Sequence, residues 1–234
     1  MPEDKGLRAC VNEAMDRGGA ALWGVADLAG LCPPPLTEYP RGLSFALAMD
    51  PAIMVTLVNG PNDVYSELYD RVNQRLDALA VELAGLIQDA GHRAWAVPSS
   101  VRSDPVNIRG DFPHKTAATR AGLGWIGKHC QLVTRSLGPW LRLGTVLTDA
   151  PLAVGAPVEK SYCGECTACL EACPAGALHG ADWSPGLERE NILAPAVCDA
   201  YKKEHFMAFH QGHNCGICTA ACPWGQKTLR RASA

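Results

Sequence analysis

Apolar positions in the first two thirds of the chain follow two rhythms. Across residues 63–90, Leu68, Val72, Leu76, Leu79, Leu83 and Leu86 recur every three or four residues. That spacing lays one apolar stripe along an amphipathic helix, and a stripe of this kind is core packing. Asn62 or Asp63 is suited to cap the start and Gly91 to close the end. A shorter helix is predicted over residues 9–17, stopped by Gly18 and Gly19. Continuous apolar runs at 20–26 and 43–49 suit buried strands, with Pro33, Pro34 and Pro35 breaking the chain between them. Residues 93–97 read as a strand leading to Pro98. Residues 131–134 and 141–148 read as two strands joined by a turn at Gly138 and Pro139. Alternating helix and strand predicts an α/β domain over residues 1–155. The Pro/Gly-rich stretch 151–157 marks a boundary, and a second domain fills 156–234. The whole is expected to be α+β.

Cysteine spacing changes the picture for that second domain. Of eleven cysteines, eight lie in the last third: Cys163, Cys166, Cys169 and Cys173 before Pro174, then Cys198, then Cys215, Cys218 and Cys222 before Pro223. The first run is the bacterial ferredoxin pattern, in which three close cysteines wrap one 4Fe–4S cube and the cysteine before proline ligates the other cube. Cys163, Cys166 and Cys169 then hold one cube, completed by Cys222. Cys215 and Cys218 hold the second, completed by Cys173 and, as the only cysteine left in this region, Cys198. A disulfide framework suits a small secreted domain. Zinc needs four ligands per ion and leaves the two Cys-Pro steps unexplained. Cys10, Cys32 and Cys130 fall outside the pattern and read as ordinary buried thiols.

Charge narrows the function classes. A net charge of −3 implies no strong field for nucleic acid. Lys227, Arg230 and Arg231 form a short basic tail that reads as a solvated helix end. No apolar run reaches the length of a membrane span. The opening Met1-Pro2-Glu3-Asp4-Lys5 does not look like a targeting segment. A cytoplasmic protein with reduced thiols is expected.

A second constellation lies over residues 111–129. Gly122, Gly124 and Gly127 fall within six residues, a density that lets backbone approach a planar or anionic ligand closely. The helix precedes these glycines, which excludes the dinucleotide fingerprint, and the long phosphate-loop spacing is absent. Asp111, His114, Lys115, Arg120, Lys128 and His129 crowd the same stretch. Asp111 or His114 could deliver a proton to a substrate being reduced. A solvated helix face is the plainer alternative for Lys115 and Arg120.

His114-Lys115, the run from Arg120 to His129, Thr148-Asp149 and the two cysteine motifs together resemble the epoxyqueuosine reductase family and its shorter relatives. The resemblance is specific from Arg120 onward and loose before Pro98. It implies an N-terminal α/β sandwich domain like a cobalamin-binding reductase domain, and a C-terminal ferredoxin-like domain with two 4Fe–4S clusters. It implies the same two sets of four cysteines. Lys115, Gly122, Gly124, Trp125, Gly127 and Lys128 would line a cobalamin site. The family's proton-donating aspartate lies upstream of the Arg-Ala-Gly stretch. A gap-free alignment sets Ile108 at its place, with Asp104 and Asp111 the nearest carboxylates. The family's helical-repeat domain has no counterpart in this sequence. The expected activity is reduction of a small or nucleoside substrate, with ferredoxin or flavodoxin as electron donor and tRNA as a further partner. The alternatives are a ferredoxin-like electron-transfer protein without its own substrate and a corrinoid-reactivating partner protein.

Overall fold

Helix α1 (Lys5–Gly18) starts where the Asp4 carboxylate accepts the Leu7 amide at 3.0 Å, and it ends at Gly19, whose φ of 71° allows its amide to bond back to Asp16 and Met15. It is one turn longer than residues 9–17 because that cap lies ahead of the apolar run. The computed structural model to which these elements belong describes residues 3–232, with side chains through Leu229. Arg230 and Arg231 of the basic tail lie outside the described side chains, and Met1 and Pro2 outside the described residues.

The chain forms two units. The first comprises Met1–Ala48, Val72–Leu123 and Arg142–Val158. After α1 come β1 (Leu22–Asp27) and β2 (Arg41–Ala48). Helices α2 (Pro51–Met54) and α3 (Asp63–Asp89) follow, then β3 (Ala94–Val97), α4 (His114–Arg120), β4 (Trp125–Ile126), β5 (Leu132–Val133) and β6 (Leu141–Thr148). The main sheet runs β1-β2-β6-β3, with β1 antiparallel to β2 and β3 antiparallel to β6. Helix α4 packs on β1 and β2 through Ala117 and Ala118, both fully buried. Two small residues bring that helix end close: a side chain on Gly24 would meet the Ala121 carbonyl at 2.8 Å. Helix α3 carries the predicted stripe, with Leu68, Val72, Leu76, Leu79 and Leu83 buried. The stripe continues through Ile87, while Leu86 is only half-buried. Asn62 caps it by accepting the Tyr65 amide at 2.9 Å, and Gly91 ends it at a φ of 84°.

The predicted hairpin at Gly138 is corrected. β5 pairs with β4 in a separate two-stranded sheet, while β6 lies between β2 and β3. A single bridge between Thr134 and Gly138 closes the turn itself. Apolar alternation marks a strand, but partner choice depends on side chains elsewhere in the fold.

The second unit comprises Met49–Arg71, Gly124–Leu141 and Glu159–Ala234. Its later helices are α5 (Ala168–Ala172), α6 (Pro195–His205), α7 (Ile217–Ala220) and α8 (Pro223–Ala232). The last change of unit falls after Val158. The two internal segments that join this unit were not expected from sequence. Their reason is packing. The Trp140 indole N–H donates to the Thr219 carbonyl at 2.9 Å. A side chain on Gly138 would meet the Gly225 nitrogen at 2.3 Å, and one on Gly225 would meet the Trp140 ring. His210 bonds Asp70 at 2.7 Å and lies 4.9 Å from the Tyr69 ring. Among the described residues no helix is long and apolar enough to cross a membrane.

Candidate functional site

Eight thiols gather in the second unit, brought in by short helices and turns. Gly164, with φ 58°, turns the chain between Cys163 and Cys166, and the Cys166 amide bonds the Cys163 carbonyl at 3.3 Å. Helix α5 carries Cys169 and stops at Cys173. Helix α6 carries Cys198, and Gly216 (φ 92°) opens α7 beside Cys215, with Cys218 inside it. Pro223 is the first residue of α8, so Cys222 sits just ahead of the helix.

The thiols raise one another largely within two groups that cut across sequence order, with Cys169 also acting on Cys218. Burial, and then Cys222, Cys163 and Cys166, push the Cys169 thiol up to about 11. Burial, then Cys163 and Cys166, also raise Cys222. Cys215 is raised by burial and by Cys198 and Cys173, against the lowering effect of Lys202. Cys218 is raised by burial, then by Cys215 and Cys198, with smaller effects of Cys169 and Cys173. Thiols crowded this way hold their protons unless a cation compensates the thiolates. This donor set suits iron–sulfur clusters. Among the described residues no group of His, Cys, Asp or Glu is placed to hold a metal ion, and a cube, whose thiolates sit at separate corners, needs them wider apart. All eleven cysteines are free of disulfides.

Four residues predicted as cofactor contacts belong to this same unit. Trp125 is 1% exposed, and its ring lies 5.2 Å from Tyr162 and 5.1 Å from Trp224, both edge-on. Lys128, 8% exposed, donates to the Gly164 carbonyl at 2.6 Å and faces Asp182 at 3.9 Å. A side chain on Gly124 would sit 2.1 Å from the Val133 carbonyl, and one on Gly127 would meet His129 and Val133 at 2.9 Å. The glycine spacing thus has a reason in the β4–β5 pairing. Sequence reasoning missed Tyr162, Trp224 and Lys202. The aromatics directly flank the Cys163 and Cys222-Pro223 positions, a signal available in the sequence. Lys202 donates to the His213 carbonyl at 3.1 Å and pairs, with Lys203, to buried Asp199.

Asp111, His114, Lys115 and Gly122 belong to the first unit. Gly122 has φ 82°, and a side chain there would meet the Ala156 carbonyl at 2.5 Å. Lys115 is half-buried on the first turn of α4. The His114 ring is tied at both nitrogens, to the Thr145 hydroxyl at 2.8 Å and the Pro98 carbonyl at 3.1 Å. A carbonyl only accepts, so Nε2 carries the proton and Nδ1 accepts from Thr145. Burial, with Arg142, lowers its pKa to about 4. A neutral imidazole with both nitrogens engaged is a poor proton donor at neutral pH, so the geometry argues against His114 as the acid. Asp111 is exposed and lines a groove of about 360 Å³ with Pro34, Pro35, Leu36, Glu38, Tyr39 and Trp95. Asp104 instead caps its own turn, its carboxylate held low by bonds from Asn107.

Comparison with known proteins agrees with the cysteine reading. Residues 162–225 match the family described as "4Fe-4S double cluster binding domain". The chain is 28% identical over 184 residues to an epoxyqueuosine reductase of Aliivibrio fischeri, covering 71% of this chain and 44% of that protein. It is 34% identical over 137 residues to one of Synechocystis sp., covering 50% and 41%. The chain thus spans less than half the length of these curated relatives. Among solved structures, a catabolic reductive dehalogenase aligns with a TM-score of 0.72 at 18% identity, covering 95% of this chain and 33% of that one. An epoxyqueuosine reductase solved with an epoxyqueuosine-modified tRNA stem loop aligns at 0.59 and 18% identity, covering 95% and 66%. At such identity the likeness shows a shared fold.

Proposed function

We propose that this chain, a relative of the epoxyqueuosine reductases carrying a 4Fe–4S double-cluster domain, is an iron–sulfur oxidoreductase that delivers electrons to a cobalamin-type cofactor for reduction of a small or nucleoside substrate. The observation that carries the iron–sulfur part is the match of residues 162–225 to a 4Fe–4S double-cluster domain over eight free cysteines, with Cys222, Cys163 and Cys166 acting on Cys169, and Cys198 and Cys173 acting on Cys215. With Cys218 in the second, each group supplies four thiolates, the number a cube requires.

The cobalamin part is supported by the fold, which is shared with a reductive dehalogenase for which B12-dependent dehalogenation is described. A corrin-bound cobalt supplies a low-potential metal centre for breaking a carbon–oxygen or carbon–halogen bond. The protein's own residues then have three tasks. The thiols hold the clusters. His114, fixed by Thr145 and Pro98, anchors the start of α4. Asp111, which lines the groove together with Glu38, would exchange a proton with a bound substrate. The epoxyqueuosine-modified stem loop held by a relative favours a modified nucleoside as substrate. The net charge of −3 favours RNA contact through local groups over a broad basic surface. Thiols free of disulfides suit the cytoplasm, with a ferredoxin or flavodoxin as donor.

Anaerobic reconstitution followed by cobalamin titration tests this reading. About eight irons per chain are expected, with a spectral change on cobalamin addition and turnover of an epoxyqueuosine stem loop by the reduced holoprotein. Asp111→Asn is expected to lower turnover by roughly 10²-fold or more while iron content and cobalamin binding stay unchanged. Full iron with no cobalamin response would overturn the corrinoid part and leave an electron-transfer protein. Gly122 and Gly124 face protein backbone and Gly127 the His129 and Val133 side chains, which suits that second reading.

A further inference from the structure

We propose that the turn from Trp125 to Lys128 tunes the first cube: the Lys128 ammonium and the Trp125 indole N–H supply positive charge to it and raise its reduction potential. The proposal rests on reading Cys163, Cys166, Cys169 and Cys222 as that cube's ligands. It gives these two residues a role other than corrin contact.

Lys128 reaches into the cysteine loop. Its ammonium bonds the carbonyl of Gly164, the residue after Cys163, at 2.6 Å, and only 8% of the residue is exposed. Gly164 has open space where a side chain would be, so its glycine identity serves the φ of 58° that turns the loop. Asp182 is the one carboxylate paired with this ammonium among the described residues, at 3.9 Å and with 57% of its side chain exposed. Water screens that carboxylate more than it screens the buried ammonium, which leaves a net positive field at the loop.

Trp125 adds a second, independent observation. Its indole nitrogen is buried and has no hydrogen-bond partner among the described residues. Folded proteins rarely bury a donor without an acceptor. The ring is edge-on to Tyr162, which precedes Cys163, and to Trp224, which follows Cys222-Pro223. Cluster and thiolate sulfurs are the acceptors the iron site would bring to this place. Reducing a cube adds one electron and one negative charge, with no bond broken. A fixed ammonium and a donated N–H both favour that reduced state. The electron comes from an external one-electron donor.

The test is a spin-resonance-monitored titration with dithionite of the anaerobic holoprotein, after iron and sulfide are quantified. Cys198→Ser, which alters only the second cube, assigns the signals. Lys128→Met is expected to lower the reduced-to-oxidised ratio of the first cube about tenfold at fixed potential, equal to about 59 mV for one electron. Lys128→Arg should restore most of it, Trp125→Phe should lower it less, and the second cube should not move. Asp182→Asn should shift the first cube upward, and this exposed position gives a reading even if Lys128→Met loses iron. An unchanged first-cube midpoint in Asp182→Asn, or in Lys128→Met and Trp125→Phe with full iron, would overturn the proposal. Low iron in the wild-type protein would instead sink the ligand assignment beneath it.

Discussion

At the residue scale, the environment of His114 decides what it can do. Burial and the Arg142 guanidinium depress the imidazole from 6.5 to about 4, and the Pro98 carbonyl and Asp77 offset this only partly. Between those two values the unfolded chain binds a proton that the folded chain refuses, so stability rises with pH across the window. The contribution is complete above about pH 6.5 and is lost as pH falls toward 4. The loss amounts to about 3 kcal/mol once pH is below 4. His114→Gln removes the titration, so its urea midpoint should change less between pH 7 and pH 5 than that of the wild-type protein. Equal pH dependence in the two proteins would show that the ring is not buried neutral.

At the element scale, the glycines of the 122–127 stretch are fixed by close approach of protein to protein. The Cβ of Gly124→Ala would stand 2.1 Å from the Val133 carbonyl, backbone that cannot move without breaking the β4–β5 pairing. A loss of about 3 kcal/mol, the upper end for overpacking, is expected, together with weaker iron retention because β4 belongs to the cysteine-bearing unit. Gly164→Ala meets no atom and bears only the strain of its φ of 58°, about 1–2 kcal/mol. Thermal melts of the two variants should therefore separate clearly. If Gly124→Ala melted like the wild type and lost only cobalamin, Gly124 would instead let the backbone approach the cofactor, as its spacing suggests.

At the scale of the whole molecule, the proposed assignment interleaves the two sets of ligands, so damage should not follow sequence neighbourhood. Cys173 lies four residues from Cys169 but acts electrostatically on Cys215 and Cys218. Cys173→Ala should leave the first cube's spectrum intact and degrade the cube of Cys215 and Cys218, with iron falling toward about four per chain. Loss of the Cys163 group's signal instead would show a non-interleaved arrangement. Interleaving also ties the segment around Cys163 to the segment around Cys222, so cluster loss should lower the stability of the second unit cooperatively.

The sequence by itself determined those features that depend on spacing along the chain. The stripe of α3, the extent of β6, the α4 helix ahead of the glycines and the double-cluster cysteine motif all follow from intervals set by helix pitch, strand pleat or cube geometry. Tertiary structure decided what depends on partners distant in sequence. It sent β5 to β4 and β6 between β2 and β3, because alternation marks a strand without naming its neighbour. It placed Lys128 on the Gly164 carbonyl and Trp125 between Tyr162 and Trp224, where sequence proximity to three glycines suggested a cofactor pocket. It tied both ring nitrogens of His114 and lowered its pKa, since a pKa is set by burial, by hydrogen bonds such as that to the Pro98 carbonyl, and by charges such as Asp77 and Arg142 that reach the ring only when the chain folds.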